Sequence, residues 1–155
     1  MSVKVQRDDF DIGTELNNLT NNNTGIGGVA SFIGLVRDIG DGDTLRAMTL
    51  EHYPGMTEKL LAEIEAEANN RWKLEASLII HRYGRLQLGD RIVLVATASA
   101  HREAAFEACQ FLVDWLKTRA PFWKLEDTVN TGGRWVKAKT SDHLATKRWQ
   151  LKSQQ

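Results

Sequence analysis

Residues 91–126 read RIVLVATASAHREAAFEACQFLVDWLKTRAPFWKLE, and the fold class turns on how that stretch is parsed. Arg91 to Ser99 alternates and is rich in β-branched residues, the pattern of a strand. After Ala100, the residues Ala105, Cys109, Leu112 and Leu116 fall on one face of a helix. Lys117 and Arg119 stand near its end, and Pro121 just beyond cannot continue it. Phe122 to Glu126 then reads as another strand.

The flanking sequence gives the remaining elements. Leu78 to Tyr83 reads as a strand paired with Arg91 to Ser99 through a turn at Gly89-Asp90. Before it, Pro54 is placed to open a helix on which Met56, Leu60, Ile64 and Ala68 repeat at spacing four, with Leu61 widening the stripe toward Trp72. Val29 to Arg37 and Leu45 to Tyr53 predict a long hairpin around the loop DIGDGD. At the N-terminus, Val3 and Val5 alternate as in a short strand, and Ile12, Leu16 and Leu19 share a helical face that NNNTGIGG ends. Arg134 to Val136 reads as a strand after the loop DTVNTGG. Helices mixed with mostly hairpin-linked strands predict an α+β domain. Residues 1–140 are expected to form it and residues 141–155 a basic C-terminal tail; residues 134–155 hold six basic residues and one acidic.

Composition narrows the function. A chain of 155 residues buries enough surface to fold without a disulfide or metal staple. Lys plus Arg and Asp plus Glu both number 20, so no global basic field drives binding to nucleic acid, and Trp135 and Trp149 in the tail are too few for a stacking platform. The single cysteine, Cys109, suits a reducing cytoplasm and supplies no Cys-based zinc site. On the apolar face of its helix it reads as a small hydrophobe with an ordinary or raised pKa. The N-terminus lacks the apolar core of a signal peptide, and no run is long enough to cross a bilayer.

Two motifs fail their context. GIGGVA at residues 25–30 has dinucleotide-fingerprint spacing, but it needs a strand before and a helix after, and here a loop precedes and a strand follows. His101 and Glu103 give half of a zinc-deaminase signature whose cysteine half is missing. His52, His81 and His143 show no metal-ligand spacing and read as strand or surface residues.

What survives is a set of cations at element ends. His101 and Arg102 open the long helix, where free N–H groups and the helix dipole favour an anion. Arg37 closes the strand FIGLVR. Lys117 and Lys124 bracket Pro121 and are placed to converge after the turn. For any single Lys or Arg a solvated surface charge is the commoner role, so the residues alone predict an anion-binding α+β domain and no more.

At VASFIGLVRDIGDGD, LEHYPGMTEK, HRYGRLQLGD, SAHREAAFEACQFLVDWLKTRAPFWKLE and GGRWV, the chain resembles the large, catalytic subunit of molybdopterin synthase, the MoaE family. The resemblance implies an α/β hammerhead fold with an added β-rich portion. It implies a sulfurtransferase that converts cyclic pyranopterin monophosphate (precursor Z) into molybdopterin, building a dithiolene with sulfur from a thiocarboxylated ubiquitin-like small subunit. It further implies a heterotetramer around a homodimer of large subunits, and no metal or redox cofactor. Carried over, the site would comprise Leu35, Val36, Arg37, His101, Arg102, Lys117, Lys124, Leu125 and Glu126, with Lys117 and Lys124 at the reacting centre and Glu126 orienting one of them. Leu35 and Leu125 stand where the family often has basic residues, so they would offer backbone or packing only. The rival reading is a non-catalytic scaffold for a ubiquitin-like partner.

Overall fold

The strand, helix and strand of residues 91–126 all form, and the rest of the chain packs around them. The computed structural model describes residues 2–38, 45–128, 132–136 and 140–152. In chain order the elements are β1 (Ser2–Gln6), α1 (Ile12–Thr20), β2 (Gly28–Leu35), β3 (Leu45–His52), α2 (Met56–Arg71), β4 (Ala76–Arg82), β5 (Gly84–Gln87), β6 (Arg91–Ser99), α3 (Arg102–Thr118), β7 (Phe122–Thr128), β8 (Gly132–Val136) and α4 (Thr140–Lys152). One sheet has the order β1-β4-β6-β2 and a second the order β5-β3-β7-β8. Every pairing is antiparallel except β1 on β4. The class is the expected α+β, with two long helices, α2 and α3, and the second sheet as the added β-rich portion.

The central strands β4 and β6 are covered on both faces, which explains why their sequences are apolar almost without alternation. Leu78, Ile80, Leu94 and Ala96 pack with Phe10 against α1. On the other face, Ile79, Val93 and Val95 join Leu61, Ile64 and Ala68 of α2 and Ala105, Cys109 and Leu112 of α3. Met48, Leu50 and Leu86 belong to that same cluster and bring the second sheet onto it.

Three expectations change. The long hairpin does not exist: β2 pairs with β6, from Gly28 opposite Ser99 to Leu35 opposite Arg91, whereas β3 lies between β5 and β7. Adjacency in sequence favours a hairpin only when neither strand has a better partner, and β6 offers β2 a longer buried one. From residue 39 to 43 the loop DIGDGD lies outside the described residues. Second, β4 and β6 do pair, but the chain between them leaves for the second sheet as β5 before turning at Gly89, φ 86°. Third, the buried face of α2 is Thr57, Leu61, Ile64, Glu65 and Ala68. A strict spacing of four outruns 3.6 residues per turn, so Met56 at the head of the expected stripe is exposed.

The glycines of GIGGVA have a steric role. Gly27 donates its N–H to the Ser99 carbonyl at 2.9 Å, and a Cβ on Gly27 would lie 2.0 Å from the Ala100 carbonyl oxygen. The entry to β2 is thereby pressed against the link between β6 and α3.

The basic tail is solvated on one side only. Leu144, Lys147 and Arg148 of α4 are exposed, but Trp149 is buried. Its indole Nε1 donates to Asp114 Oδ2 on α3 at 2.6 Å, and Arg71 donates to its carbonyl at 2.9 Å. The ring meets Trp72 and Phe111 edge-on at 5.6 and 5.7 Å. An indole so enclosed is not available for stacking on a base.

Candidate active site

Lys117 and Lys124 stand on either side of a sharp turn of the chain. Lys117 sits in the last turn of α3, whose cap residue Arg119 donates its N–H to the Trp115 carbonyl. Pro121 then blocks continuation, Phe122 donates back to the Ala120 carbonyl at 2.8 Å, and β7 sets off in a new direction. Within β7, alternation puts Phe122, Lys124 and Glu126 on one face. Their register partners on β3 are His52, Leu50 and Met48. Leu50 and Met48 are buried, so this face points inward; Lys124 is half-buried and Glu126 buried. Lys117 is exposed at the rim.

His81, in β4, packs on the start of β7, and the charges of both lysines act on it. Its imidazole is buried and lies flat on Phe122, with ring centroids 3.7 Å apart and planes 14° apart. Burial, followed by the positive charges of Lys124 and Lys117 and by His52, pushes its pKa down to about 4; only the hydrogen bond with the Arg82 backbone opposes the shift. Both ammonium groups therefore bear on one neutral ring. His52 packs on Tyr83 with centroids 4.3 Å apart and has its Nε2 3.6 Å from Glu58 Oε1.

The other cations lie elsewhere. His101 is the N-cap of α3 in extended conformation with no side-chain cap bond, and His101, Arg102 and Glu103 are all exposed. Arg102 is beside the start of β2, since its Cα lies 3.9 Å from where a Gly28 Cβ would stand. Arg37 follows the far end of β2 and is exposed. Next to it Val36 is buried and tied by backbone bonds to Asp90 and Gly89, while Leu35 is exposed. Leu125 is half-buried in β7.

Helix α3 runs back along β6. Thr97 Oγ1 donates to the Ala105 carbonyl at 2.6 Å, and Cys109 Sγ approaches the Val95 carbonyl at 3.9 Å one helical turn later. Its N-terminus thus lies at the Ser99 end of the sheet and its C-terminus at the Arg91 end. With 17 residues in α3, the two ends are about 25 Å apart at ~1.5 Å per residue. One chain brings Lys117, Lys124 and Glu126 into one region and holds His101 and Arg102 away from it.

Cys109 is buried, and burial raises its thiol to about 11, so it is no nucleophile near neutral pH. Among the described residues no group of three or more His, Cys, Asp or Glu is placed to hold a metal ion, and no described helix is long and apolar enough to cross a membrane. Reading by residue type passed over His52 and His81. The signal available was SLIIHR, a histidine ending an apolar run. Chemically, the cluster offers two ammonium groups, a buried carboxylate and a neutral aromatic wall: a place to hold an anion and move a proton.

Residues 5–119 match the family model described as MoaE protein. A Pseudomonas aeruginosa protein, "Molybdopterin synthase catalytic subunit", is 56% identical over 150 residues, covering 97% of this chain and 99% of the relative. The chain belongs to the MoaE family. A solved MoaE protein from Burkholderia ambifaria superposes with a TM-score of 0.82 at 49% identity, covering 96% of this chain and 97% of that one. The fold alone extends to 18% identity, with a TM-score of 0.70 and coverage of 89% and 90%, in a Helicobacter pylori protein–protein complex of subunits 1 and 2 of molybdopterin-converting factor. The relatives of this chain are named molybdopterin synthase catalytic subunits, and with them it has a sulfurtransferase role in molybdopterin biosynthesis.

Proposed function

We propose that this chain works as the large subunit of molybdopterin synthase and that its reacting centre is the Lys117–Lys124 cluster. The observation that carries the reading is the return of both lysines to His81 across the Pro121 turn, in a chain of the MoaE family. Sulfur arrives as the C-terminal thiocarboxylate of a small ubiquitin-like subunit and is transferred to precursor Z.

Both reactants are anionic, so a cationic, partly desolvated pocket is needed to bring them together. Lys117 and Lys124 hold the thiocarboxylate while its sulfur bonds to a precursor carbon, an ammonium group supplies the proton to the oxygen that leaves that carbon, and hydrolysis of the resulting thioester by water leaves the sulfur on the precursor and returns the small subunit's C-terminus as a carboxylate. Glu126, buried on the same strand face as Lys124, orients the pair. Arg37, His101 and Arg102 bind the phosphate and pterin, with the guanidinium groups suited to bidentate contact. Leu35, Val36 and Leu125 contribute backbone and packing. Arg37 is separated from Arg102 by the length of β2, roughly 25 Å at ~3.4 Å per residue, so one substrate molecule cannot span both in a single chain. A symmetric homodimer in which each copy lends His101 and Arg102 to its partner's lysines completes the site. The enclosed lone cysteine supports placement in a reducing cytoplasm.

The test is to mix the chain with precursor Z and the thiocarboxylated small subunit and to assay dithiolene. Product is expected, and none when the partner lacks its last two glycines. No product with the intact partner would leave the scaffold reading in its place.

A further inference from the structure

Phe122, the first residue of the strand that carries Lys124, is held by rings from two other strands. His81 of β4 stacks on it at 3.7 Å, and His52, its register partner on β3, lies at 6.2 Å with an interplanar angle of 28°. β4 belongs to the first sheet, while β3 and β7 belong to the second. The His81–Phe122 stack therefore joins the two sheets beside the turn that separates Lys117 from Lys124. From α2 the turn is tied more weakly, by a 3.4 Å bond from Thr57 Oγ1 to the Pro121 carbonyl.

We propose that His81 is a positioning residue for the sulfur-transfer reaction: by clamping Phe122 it fixes the strand bearing Lys124 against the helix end bearing Lys117. The inference rests on the function proposed above.

The geometry explains why a histidine fits. Its Nδ1 lies 2.9 Å from the Arg82 carbonyl oxygen, which can only accept, so Nδ1 carries the proton and Nε2 is the ring's acceptor. The groups that bear most on the ring are the Arg82 carbonyl of its own strand, Lys124 of β7, Lys117 of α3 and His52 of β3, and both lysines oppose a second ring proton. The clamp stays neutral while the lysines are charged, so an aromatic ring without nitrogen should replace it.

The test uses the complete complex with small subunit and precursor Z. His81→Ala, with His81→Leu as the volume-filling control should the alanine variant fold poorly, should lower kcat by about tenfold or more, because small displacements of reacting groups cost that much. KM for the precursor and affinity for the small subunit should stay within about twofold, since His81 is buried, and His81→Phe should recover kcat to within about threefold. In the free chain, ¹⁵N NMR should show the Nδ1–H tautomer, and the imidazole protons should carry a ring-current shift that Phe122→Leu removes. Wild-type kcat in His81→Ala or His81→Leu, a loss that His81→Phe does not recover, or absence of the ring-current shift would overturn the inference while leaving the function intact. No product from the unmodified complex would overturn both.

Discussion

The two ends of α3 are built differently. At the C-terminal end, Lys117 stands before the turn into a strand that carries a half-buried lysine and a buried carboxylate and whose first phenylalanine is packed flat on a neutral imidazole. At the N-terminal end, His101 and Arg102 are exposed, and the cap residue makes no side-chain bond to the helix. One end is organised by its own chain. The other offers charges whose use requires something from outside, which is what a site shared between two copies would need.

The largest expected effect breaks the organised end. Lys117→Ala and Lys124→Ala should each lower the single-turnover rate by about 10² to 10⁴, the usual cost of losing a general acid or base. Binding of either reactant should fall much less. Lys→Arg should not restore full activity, because guanidinium keeps its proton near neutral pH. Near-normal rates in both alanine variants would remove the lysines from the chemistry.

The same end should loosen in acid. His81 has a folded pKa of about 4 against an ordinary 6.5, so between those values the unfolded chain binds the extra proton. Its contribution is complete above pH 6.5 and is lost as pH falls from 6.5 toward 4, up to about 3 kcal/mol at ~1.4 kcal/mol per pKa unit. Urea unfolding across that range should show the slope, and His81→Phe should flatten it. An unchanged slope would mean that the ring titrates normally and is not enclosed as described.

The open end is tested by affinity. Arg102→Ala, and Arg37→Ala at the far end of β2, should weaken precursor Z by about 10- to 100-fold in calorimetry, each removing a charge-assisted contact worth about 1.5 to 3 kcal/mol. The fold should be intact in both, since both side chains are exposed. Unchanged affinity would make them ordinary surface charges.

The finest test asks whether the two ends meet across copies. Lys117→Ala chains mixed with Arg102→Ala chains should regain about a quarter of wild-type activity at subsaturating precursor, because half the dimers are mixed and each mixed dimer has one intact site of two. No gain over the separate variants would place all the residues of a site in one chain.

Much of this contrast was present in the sequence as arithmetic. The periodicity of Ala105, Cys109, Leu112 and Leu116 and the stop at Pro121 give α3 its length, and that length alone separates Arg102 from Lys117 by about 22 Å. The turn between Lys117 and Lys124 was legible for the same reason, because Pro121 cannot continue the helix. The partner of β2 was not legible. Which strand sits beside which depends on long-range burial, so β2 went to β6 and β3 to the second sheet. His81 escaped because nothing local distinguishes a histidine that ends a strand in solvent from one that ends it against a phenylalanine 41 positions later.

Gly27 has a consequence for anyone who maps this protein by mutation. A side chain there has nowhere to go but into the Ala100 carbonyl, 2.0 Å away, and the obstacle is backbone that cannot step aside. In a saturation library scored by growth, column 27 should be as blank as columns 117 and 124, though it touches no reactant. Scored for folded protein instead, the lysine columns should fill in while column 27 stays empty.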